Sequence, residues 1–479
     1  MVTMVTNITY FLSTTATLLY VAAIVSVIIL LLLENRNPVK AVSWILVLVF
    51  LPVIGLILYL FFGRNFRRQR LISRRSYSKL LRKPMAEYLS QEQVLVPEIY
   101  RRLVMLFQNN SQSLPFSGNL ITTYTEGTSM LESLLQELRN ARHHIHLEFY
   151  IFNDDEVGNQ VREVLVERVK AGVKVRLIYD DVGCWSVPDK FYKKMLADGI
   201  VVRSFIKVRF PLLTSRVNYR NHRKIVVIDG KVGFIGGMNI ADRYVKGVKW
   251  GIWRDTHLRI EGKAVHALQT RFLLDWYFVE QKLLTNAVYF PKLQDAGNSL
   301  VQIVSSDPTS DWPDIMQGLV KVISGARKYF YVQTPYFLPT EPVLFALQTA
   351  ALSGVDVRLI IPKKSDAITP HVGSLSYVRD VLEAGVKVYQ YEHGFLHSKL
   401  IVCDDLLVTV GSTNMDFRSF EHNFEVNAFV YDKEMAQEMK QVFLNDQTHA
   451  TQVWLKDWKK RPWTKRLIQG VVRLMAPLL

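Results

Sequence analysis

The chain has 479 residues, with 59 lysines and arginines against 43 aspartates and glutamates, so its formal net charge is +16 at pH 7. This length suffices for two core-forming domains plus appendages. The charge favours an anionic partner, either nucleic acid or an acidic lipid surface. Only two cysteines are present, Cys184 and Cys403, which excludes a disulfide-rich scaffold and fits a reducing compartment.

The N-terminal segment contains two long stretches without a charged residue, residues 10–33 and 41–62. Each meets the requirement of roughly 20 residues for a helix that spans a bilayer. A cleaved signal peptide is the alternative for the first stretch, but no basic segment precedes it and no small-residue cleavage site follows before Glu34. We therefore expect residues 1–63 to form an integral membrane hairpin, with a tolerable kink at Pro52.

A basic segment, residues 64–110, follows the second stretch. Its first 20 residues contain nine lysines and arginines and no acid, whereas the loop between the two stretches carries only Glu34, Arg36 and Lys40. The positive-inside rule then places the large C-terminal part in the cytoplasm. Basic residues beside a membrane span are attracted to anionic headgroups. We expect anionic membrane lipids as the partner and no nucleic acid, because no basic and aromatic interleaving typical of a base-stacking groove occurs.

Residues 111–450 show strands alternating with helices twice over. A strand, a helix and a strand are predicted for residues 144–152, 156–171 and 172–179, and the same order recurs over residues 329–337, 341–353 and 354–361. This alternation predicts parallel strand pairing and a layered α/β fold. We expect two duplicated halves, residues 111–290 and 291–450, that share one cleft, with residues 205–219 as an extra loop.

A five-residue constellation occurs twice at a common offset of 175 residues. Each copy reads H-x-K-x(4)-D followed by G-x-x-N, and composition alone would not produce five matching positions. The repeat predicts one reaction centre built from two halves. Its members are His222, Lys224, Asp229, Gly236 and Asn239 in the first copy and His397, Lys399, Asp404, Gly411 and Asn414 in the second.

The spacing within the motif suggests a role for each residue type. Histidine and lysine are two residues apart at the start of a predicted strand, so their side chains leave one face and both can contact one phosphate. The aspartates, Asp229 and Asp404, have the opposite parity and stand at a predicted turn, which indicates a structural role within the catalytic motif. An amide from Asn239 or Asn414 can donate to a phosphate oxygen, and Ser412 can add a hydroxyl in the second copy.

Each histidine also needs a group on its far ring nitrogen to fix the tautomer. Asp255 and Glu425 lie on the next predicted strand of the same half as His222 and His397, 33 and 28 residues after them. These two acids are the candidates for the histidine-orienting role. Ordinary strand-end acids are the alternative.

A cluster of three histidines, His143, His144 and His146, superficially resembles a metal site. It opens a predicted strand in which alternate residues face opposite ways, so we expect strand-end packing or solvated polar residues and no metal.

The tail, residues 451–479, mixes tryptophans and aliphatic residues with seven lysines and arginines. A helix lying in the membrane interface would have this pattern. A helix packed on the core of the protein would look nearly the same. Both interpretations stay open.

The doubled motif resembles that of the phospholipase D superfamily, and the whole chain is similar to the bacterial cardiolipin synthases. The likeness is carried by YRNHRKIVVIDG and GFIGGMNI in the first half, by FLHSKLIVCDD and GSTNMDFRSFEHNFEVN in the second, and by the apolar N-terminus and the basic tail. The resemblance implies two phospholipase D-like α-β-α sandwich halves around one active-site cleft. It also implies a multi-pass protein of the bacterial cytoplasmic membrane.

The activity that the resemblance implies is transfer of a phosphatidyl group between two phosphatidylglycerol molecules, giving cardiolipin and glycerol without a metal or other cofactor. By this analogy His222 attacks phosphorus, while His397 protonates the departing glycerol and then deprotonates the hydroxyl of the second lipid. The alternatives are hydrolysis by a phospholipase D or nuclease, transfer to another lipid alcohol such as phosphatidylethanolamine, and a catalytically idle membrane scaffold. The last is disfavoured because both motif copies are complete.

Overall fold

The computed structural model describes residues 2–33, 38–59, 94, 96–208 and 215–478. The chain divides into two compact units, which fall within Met1–Phe66 plus Arg209–Asn218 and within Arg67–Val208 plus Tyr219–Leu479. Three predicted features lie partly or wholly outside the described residues. These are the loop at residues 34–37, most of the basic segment (residues 64–93 and 95) and the centre of the predicted extra loop (residues 209–214).

The first unit contains helices α1 (Val2–Leu33), α2 (Pro38–Phe50) and α3 (Pro52–Leu58). Proline lacks an N–H and disfavours a helical conformation in the residue before it, so the second apolar stretch breaks at Leu51, with φ −124° and ψ 67°. Buried Leu31 of α1 and Leu48 of α2 belong to one apolar cluster. Within the described residues, no helix combines the length and apolarity needed to cross a membrane. The two predicted membrane spans stay predictions.

The second unit begins with α4 (Arg101–Asn110) and contains both halves. The elements of the first half are, in chain order, β1 (Pro115–Tyr124), α5 (Gly127–Asn140), β2 (His144–Phe149), α6 (Glu156–Lys170), β3 (Lys174–Asp180), α7 (Asp189–Ala197), β4 (Val201–Phe205), β5 (Ile225–Ile228), β6 (Val232–Gly236), α8 (Asp242–Lys246), β7 (Ile252–Arg254), β8 (His257–Glu261) and α9 (Val265–Glu280).

The second half repeats this order and adds a strand and the tail. Its elements are β9 (Ser299–Ser306), α10 (Asp314–Gly325), β10 (Tyr329–Gln333), β11 (Phe337–Leu338), α11 (Glu341–Leu352), β12 (Asp356–Pro362), α12 (Ile368–Glu383), β13 (Lys387–Tyr391), β14 (Gly394–Leu396), β15 (Leu400–Cys403), β16 (Leu407–Gly411), β17 (Met415–Asp416), α13 (Phe417–Glu421), β18 (Glu425–Tyr431), α14 (Lys433–Thr448), β19 (Ala450–Val453), α15 (Leu455–Lys459) and α16 (Trp463–Leu474).

Within the described residues, a single 15-stranded sheet runs through both halves in the order β19-β13-β12-β10-β15-β16-β18-β9-β1-β8-β6-β5-β2-β3-β4. The order is nearly mirrored about the junction of β9 and β1, where Phe116 lies opposite Val301. The duplicated halves predicted from the sequence are thus joined edge to edge. Helices α5 and α6 of the first half and α10 and α11 of the second cover the sheet through apolar clusters.

Strand pairing in each half is mixed. β2, β3 and β4 pair in parallel, as do β10, β12 and β13, as the strand-helix-strand pattern predicts. The remaining strands pair antiparallel, because the motif strands β5 and β15 return through tight turns to β6 and β16. The turn at Asp229 and Gly230, both with positive φ, confirms the predicted Asp-Gly turn. The expectation of parallel pairing alone was therefore too simple.

Two predicted strands end earlier than expected. β2 stops at Phe149 and β10 at Gln333, and the chain then leaves the sheet. Tyr150, Ile151 and Tyr336, which the prediction placed inside strands, instead line a cleft. The departure of the chain from the sheet builds the wall of the site.

Candidate functional site

His397 is positioned by a short strand that reaches from the second half to the first. β14 ends just before His397 and pairs in parallel with β7, so that Leu396 lies opposite Arg254. The N–H of His397 donates to the Arg254 carbonyl at 2.7 Å. The next residue of the first half, Asp255, is therefore a neighbour of His397, and its Oδ2 lies 2.6 Å from His397 Nδ1.

His222 meets the second half in the same way. Asn221 forms a parallel bridge with Phe424, and the His222 N–H donates to the Phe424 carbonyl at 3.0 Å. Glu425 follows Phe424, and its two carboxylate oxygens lie 3.0 and 3.1 Å from His222 Nδ1. In both contacts Nδ1 faces a fully buried carboxylate, so Nε2 is the ring nitrogen that can react with a substrate.

The predicted pairing of acids with histidines within each half is wrong. Asp255 contacts the histidine of the second half, and Glu425 contacts the histidine of the first. The two strand registers across the junction cause this exchange. An isolated half would leave its histidine without a carboxylate partner.

The carboxylate of Glu425 is held by further donors. Asn423 Nδ2 donates to it at 3.2 Å, and the Ser412 hydroxyl also donates to it while accepting from the Val426 N–H at 3.0 Å. Ser412 is fully buried and bound to this carboxylate, so the prediction that it binds phosphate is not supported by its position. It supports Glu425 instead.

The first half has glycine where the second has Ser412. A Cβ added at Gly237 would lie 2.0 Å from Asp255 Oδ1, so a side chain there would displace the carboxylate. Asp255 instead accepts the Thr256 backbone N–H at 2.8 Å. The two carboxylates are therefore held by different contacts, and the two halves are not chemically identical.

The motif lysines lie deeper than predicted. The strands β5 and β15 begin only after the lysines, so the same-face argument does not apply as stated. Lys224 and Lys399 are buried, and each amine donates to the backbone carbonyl of the histidine two residues before it. They supply positive charge from behind the histidines.

The motif aspartates are structural. Asp229 accepts three backbone N–H groups, from Arg142, His143 and His144, at 2.8 to 2.9 Å. Asp404 accepts three equivalent groups, from residues 327–329, at 2.7 to 2.9 Å. Each aspartate thereby joins the motif turn to the start of β2 or β10. This agrees with the structural interpretation of these two motif members.

A cleft of about 370 Å³ lies where the halves meet, and both histidines line it. Asn239 and Asn414, predicted to bind phosphate, also line it. The Asn239 carbonyl accepts the Ile151 N–H at 3.0 Å, and its amide donates to the Tyr244 hydroxyl. The sequence-predicted set is therefore divided between the cleft wall and a supporting layer behind it.

Arginines that the motif analysis missed also line the cleft. Arg243 and Arg418 are separated by the same 175 residues as the motif members, a signal that lay in the sequence. Arg220 lines the cleft as well, and its guanidinium is 3.3 Å from buried Asp180. Together these groups give the cleft a cationic wall that suits a phosphate.

Burial sets the protonation states of the site. It lowers the pKa of both imidazoles to about 4, although the adjoining carboxylates oppose the shift. It also lowers the pKa of Lys224 to about 7 and that of Lys399 to about 8. Burial alone would raise the pKa of Asp255 and Glu425, but the neighbouring lysine and histidine hold both values below the ordinary range. At neutral pH the imidazoles are therefore neutral and the carboxylates ionised.

The histidine cluster of the first half is a buried network. His144 and His146 are bridged by Gln269, which lies 3.0 Å from one ring and 2.8 Å from the other. The His146 ring stacks on Phe272. The expected solvated or strand-end position is thus wrong for these two rings. Nowhere in the described part of the chain do three or more His, Cys, Asp or Glu side chains form a group that could hold a metal ion.

The sequence matches known families over most of its length. The profile described as "Cardiolipin synthase, PLD-like domain" matches residues 134–276 and 319–447, and the one described as "Phospholipase_D-nuclease N-terminal" matches residues 18–64. A cardiolipin synthase of Geobacillus kaustophilus (strain HTA426) is 40% identical over 463 residues, covering 95% of this chain and 92% of the relative. One of Listeria monocytogenes serotype 4a (strain HCC23) is 39% identical, covering 93% and 95%.

A solved structure shares the fold at low sequence identity. The phosphatidylserine synthase of Haemophilus influenzae Rd KW20 superposes with a TM-score of 0.59 at 14% identity, covering 79% of this chain and 99% of that one. This similarity concerns the fold alone.

Proposed function

The chain belongs to the cardiolipin synthase family of phospholipase D-like proteins, and from this premise we propose that it makes cardiolipin and glycerol from two phosphatidylglycerol molecules. Relatives that carry the name cardiolipin synthase match nearly the whole chain, which supports this activity. The observation that carries the proposal is the cleft. Two histidines from different halves line it, each with a buried carboxylate on Nδ1.

In the first step, Nε2 of His222 attacks the phosphorus of one phosphatidylglycerol. The new N–P bond replaces the bond from phosphorus to the headgroup glycerol oxygen, and His397 gives that oxygen a proton. The imidazole ring gains positive charge as the bond forms. Ionised Glu425 at Nδ1 stabilises this charge and fixes the tautomer.

In the second step, the roles of acid and base reverse. His397 accepts the proton of a terminal headgroup hydroxyl of the second phosphatidylglycerol, and the oxygen attacks the phosphorus. The N–P bond breaks, cardiolipin leaves and His222 returns to its neutral form. Asp255 holds the His397 ring in position through both steps.

Charge on the phosphate oxygens is met by several cationic and amide groups. Arg243 and Arg418 line the cleft with Asn239 and Asn414, and the buried lysines add positive charge behind the histidines. A bound phosphate anion favours the charged form of each group, so binding counteracts the lowering of the lysine pKa values by burial.

We also propose that the enzyme is anchored in a bacterial cytoplasmic membrane with its catalytic halves on the cytoplasmic side. Support comes from the charge-free residues 10–33 and 41–62 and from the basic residues that follow them. In this proposal residues 1–63 are the membrane hairpin and residues 64–110 the juxtamembrane linker. Residues 111–290 and 291–450 are the catalytic halves, and residues 451–479 are the tail.

The test uses the full chain in vesicles of phosphatidylglycerol labelled in the headgroup glycerol. We expect one labelled glycerol released for each cardiolipin formed. Phosphatidic acid as the product would indicate hydrolysis, and a product that retains ethanolamine, when phosphatidylethanolamine is added, would indicate a different acceptor. His222→Ala should abolish the reaction. His143→Ala, which removes an exposed histidine outside the cleft, is the matched control and should retain it.

A further inference from the structure

The last helix of the chain carries its apolar face outward. In α16 the side chains of Trp463, Leu467, Val471 and Leu474 are 70%, 57%, 54% and 83% exposed. Their spacing of four, four and three residues places them on one side of the helix. An amphipathic helix on a soluble protein normally buries this side. Here it forms a continuous exposed stripe, which we call the α16 face.

The opposite side of α16 is the one packed on the protein. Gln469 is 8% exposed, while Arg473 forms an ion pair with Asp380 of α12 at 2.7 Å and lies over the Tyr377 ring at 4.1 Å. These contacts fix the rotation of the helix. The α16 face therefore cannot turn inward without losing the ion pair and exposing the contacts of Gln469.

The helix that supports α16 also borders the cleft. A Cβ added at Gly373 of α12 would lie 2.8 Å from Leu338 and 3.5 Å from Val472 of α16, so these two side chains flank the same glycine. Leu338 lines the cleft, as does Pro370 in the first turn of α12. Ile368, the first residue of α12, is 82% exposed. An exposed apolar surface thus extends from α16 toward the mouth of the site.

The charges beside the α16 face are basic. Residues 451–479 contain seven lysines and arginines and a single acid, Asp457. Lys465 and Arg466 of α16 are exposed. Two copies of the chain meeting through this face would bring like charges together, which opposes association. An anionic lipid surface accepts both the apolar stripe and the basic flanks.

We infer that the α16 face docks into the interface of an anionic bilayer and sets the mouth of the cleft at the level of the lipid headgroups. The inference rests on the proposed function, because it assumes that the cleft takes its substrates from a membrane. In this arrangement a phosphatidylglycerol headgroup reaches the histidines while its acyl chains stay in the bilayer.

The direct test measures depth and does not depend on activity. An environment-sensitive fluorophore is placed at Val471→Cys in the full chain, where the two native cysteines are buried, and the protein is reconstituted in phosphatidylglycerol vesicles with brominated acyl chains. We expect a blue-shifted emission that the bromines quench. The control label, at exposed Lys190→Cys of α7, should show neither effect. Emission at residue 471 that is not quenched overturns the inference, and a blue shift without quenching identifies a protein contact instead.

The second test separates docking from chemistry. The triple variant Leu467→Gln, Val471→Gln, Leu474→Gln should lose activity on bilayer phosphatidylglycerol on the order of tenfold and keep its activity on monomeric short-chain phosphatidylglycerol. Leu352→Gln, which removes a similarly exposed side chain from α11, should retain both activities. Equal loss on both substrates contradicts docking. A wild-type chain that quenches normally but makes no cardiolipin refutes the proposed function and leaves the docking surface intact.

Discussion

Replacing Glu425 with glutamine should disable His222 and leave His397 intact, because the carboxylates are exchanged between the halves. The substitution keeps the shape of the side chain and removes its negative charge 3.0 Å from His222 Nδ1. Two unit charges at this separation interact by about 5.5 kcal/mol at an effective dielectric constant of about 20. This stabilisation applies to the positively charged ring formed when His222 bonds to phosphorus.

Each loss of about 1.4 kcal/mol slows a reaction about tenfold, so loss of the full interaction corresponds to about four orders of magnitude. The glutamine amide keeps part of the contact. We therefore expect formation of the covalent intermediate to slow by about 10³-fold to 10⁴-fold, which is the size of the effect when the orienting aspartate of a serine protease triad is changed to asparagine.

The assay uses a phosphatidyl ester of p-nitrophenol, a leaving group that needs no proton from His397. Glu425→Gln should lose the rapid release of nitrophenolate, as His222→Ala does. Asp255→Asn should keep the release and lose transfer to phosphatidylglycerol, as His397→Ala does. Glu148→Gln is the matched control, because burial raises the pKa of Glu148 well above its usual value and the substitution removes no charge. A Glu425→Gln variant that behaves like His397→Ala would refute the crossed pairing.

Three further predictions concern charge, binding and folding. The value of kcat/KM should fall below about pH 4, where His222 becomes protonated, and again above about pH 7, where Lys224 loses its charge; a profile flat from pH 7 to about pH 9 would contradict the lysine role. Arg418→Ala and Arg243→Ala should each lower kcat/KM by about 10-fold to 100-fold, with partial recovery in the lysine variants, and unchanged kinetics would remove these arginines from the site. Asp404→Ala should lower the free energy of unfolding by about 3 kcal/mol, since three backbone N–H groups lose their acceptor; an unfolding curve like that of the wild type would count against its structural role.

The sequence predicted the parts of the fold that depend on local patterns. The strands β2 and β10, the helices α6 and α11 and the turn at Asp229 follow from hydrophobic periodicity and turn chemistry within short windows. The repeat at a constant offset indicated the two halves. It also contained Arg243 and Arg418, which an extension of the comparison by four residues would have found.

The contacts of the site could not be predicted in the same way. The partner of His397 is set by the register of β14 on β7, two three-residue strands about 140 residues apart in the chain. Separation along the chain favoured the acid of the same half, and it was misleading. Ser412 was assigned to phosphate for a similar reason, because the sequence does not reveal that its hydroxyl turns toward Glu425.

The most direct test of the central claim is to trap and locate the covalent intermediate. Full-length protein is mixed with phosphatidylglycerol labelled in the phosphatidyl group, quenched at alkaline pH, where phosphohistidine survives, and digested for peptide mapping by mass spectrometry. The account predicts label on His222, with Glu425→Gln showing almost none within the same time. Label on His397 or on another residue, or turnover to cardiolipin without any adduct at His222, would contradict it.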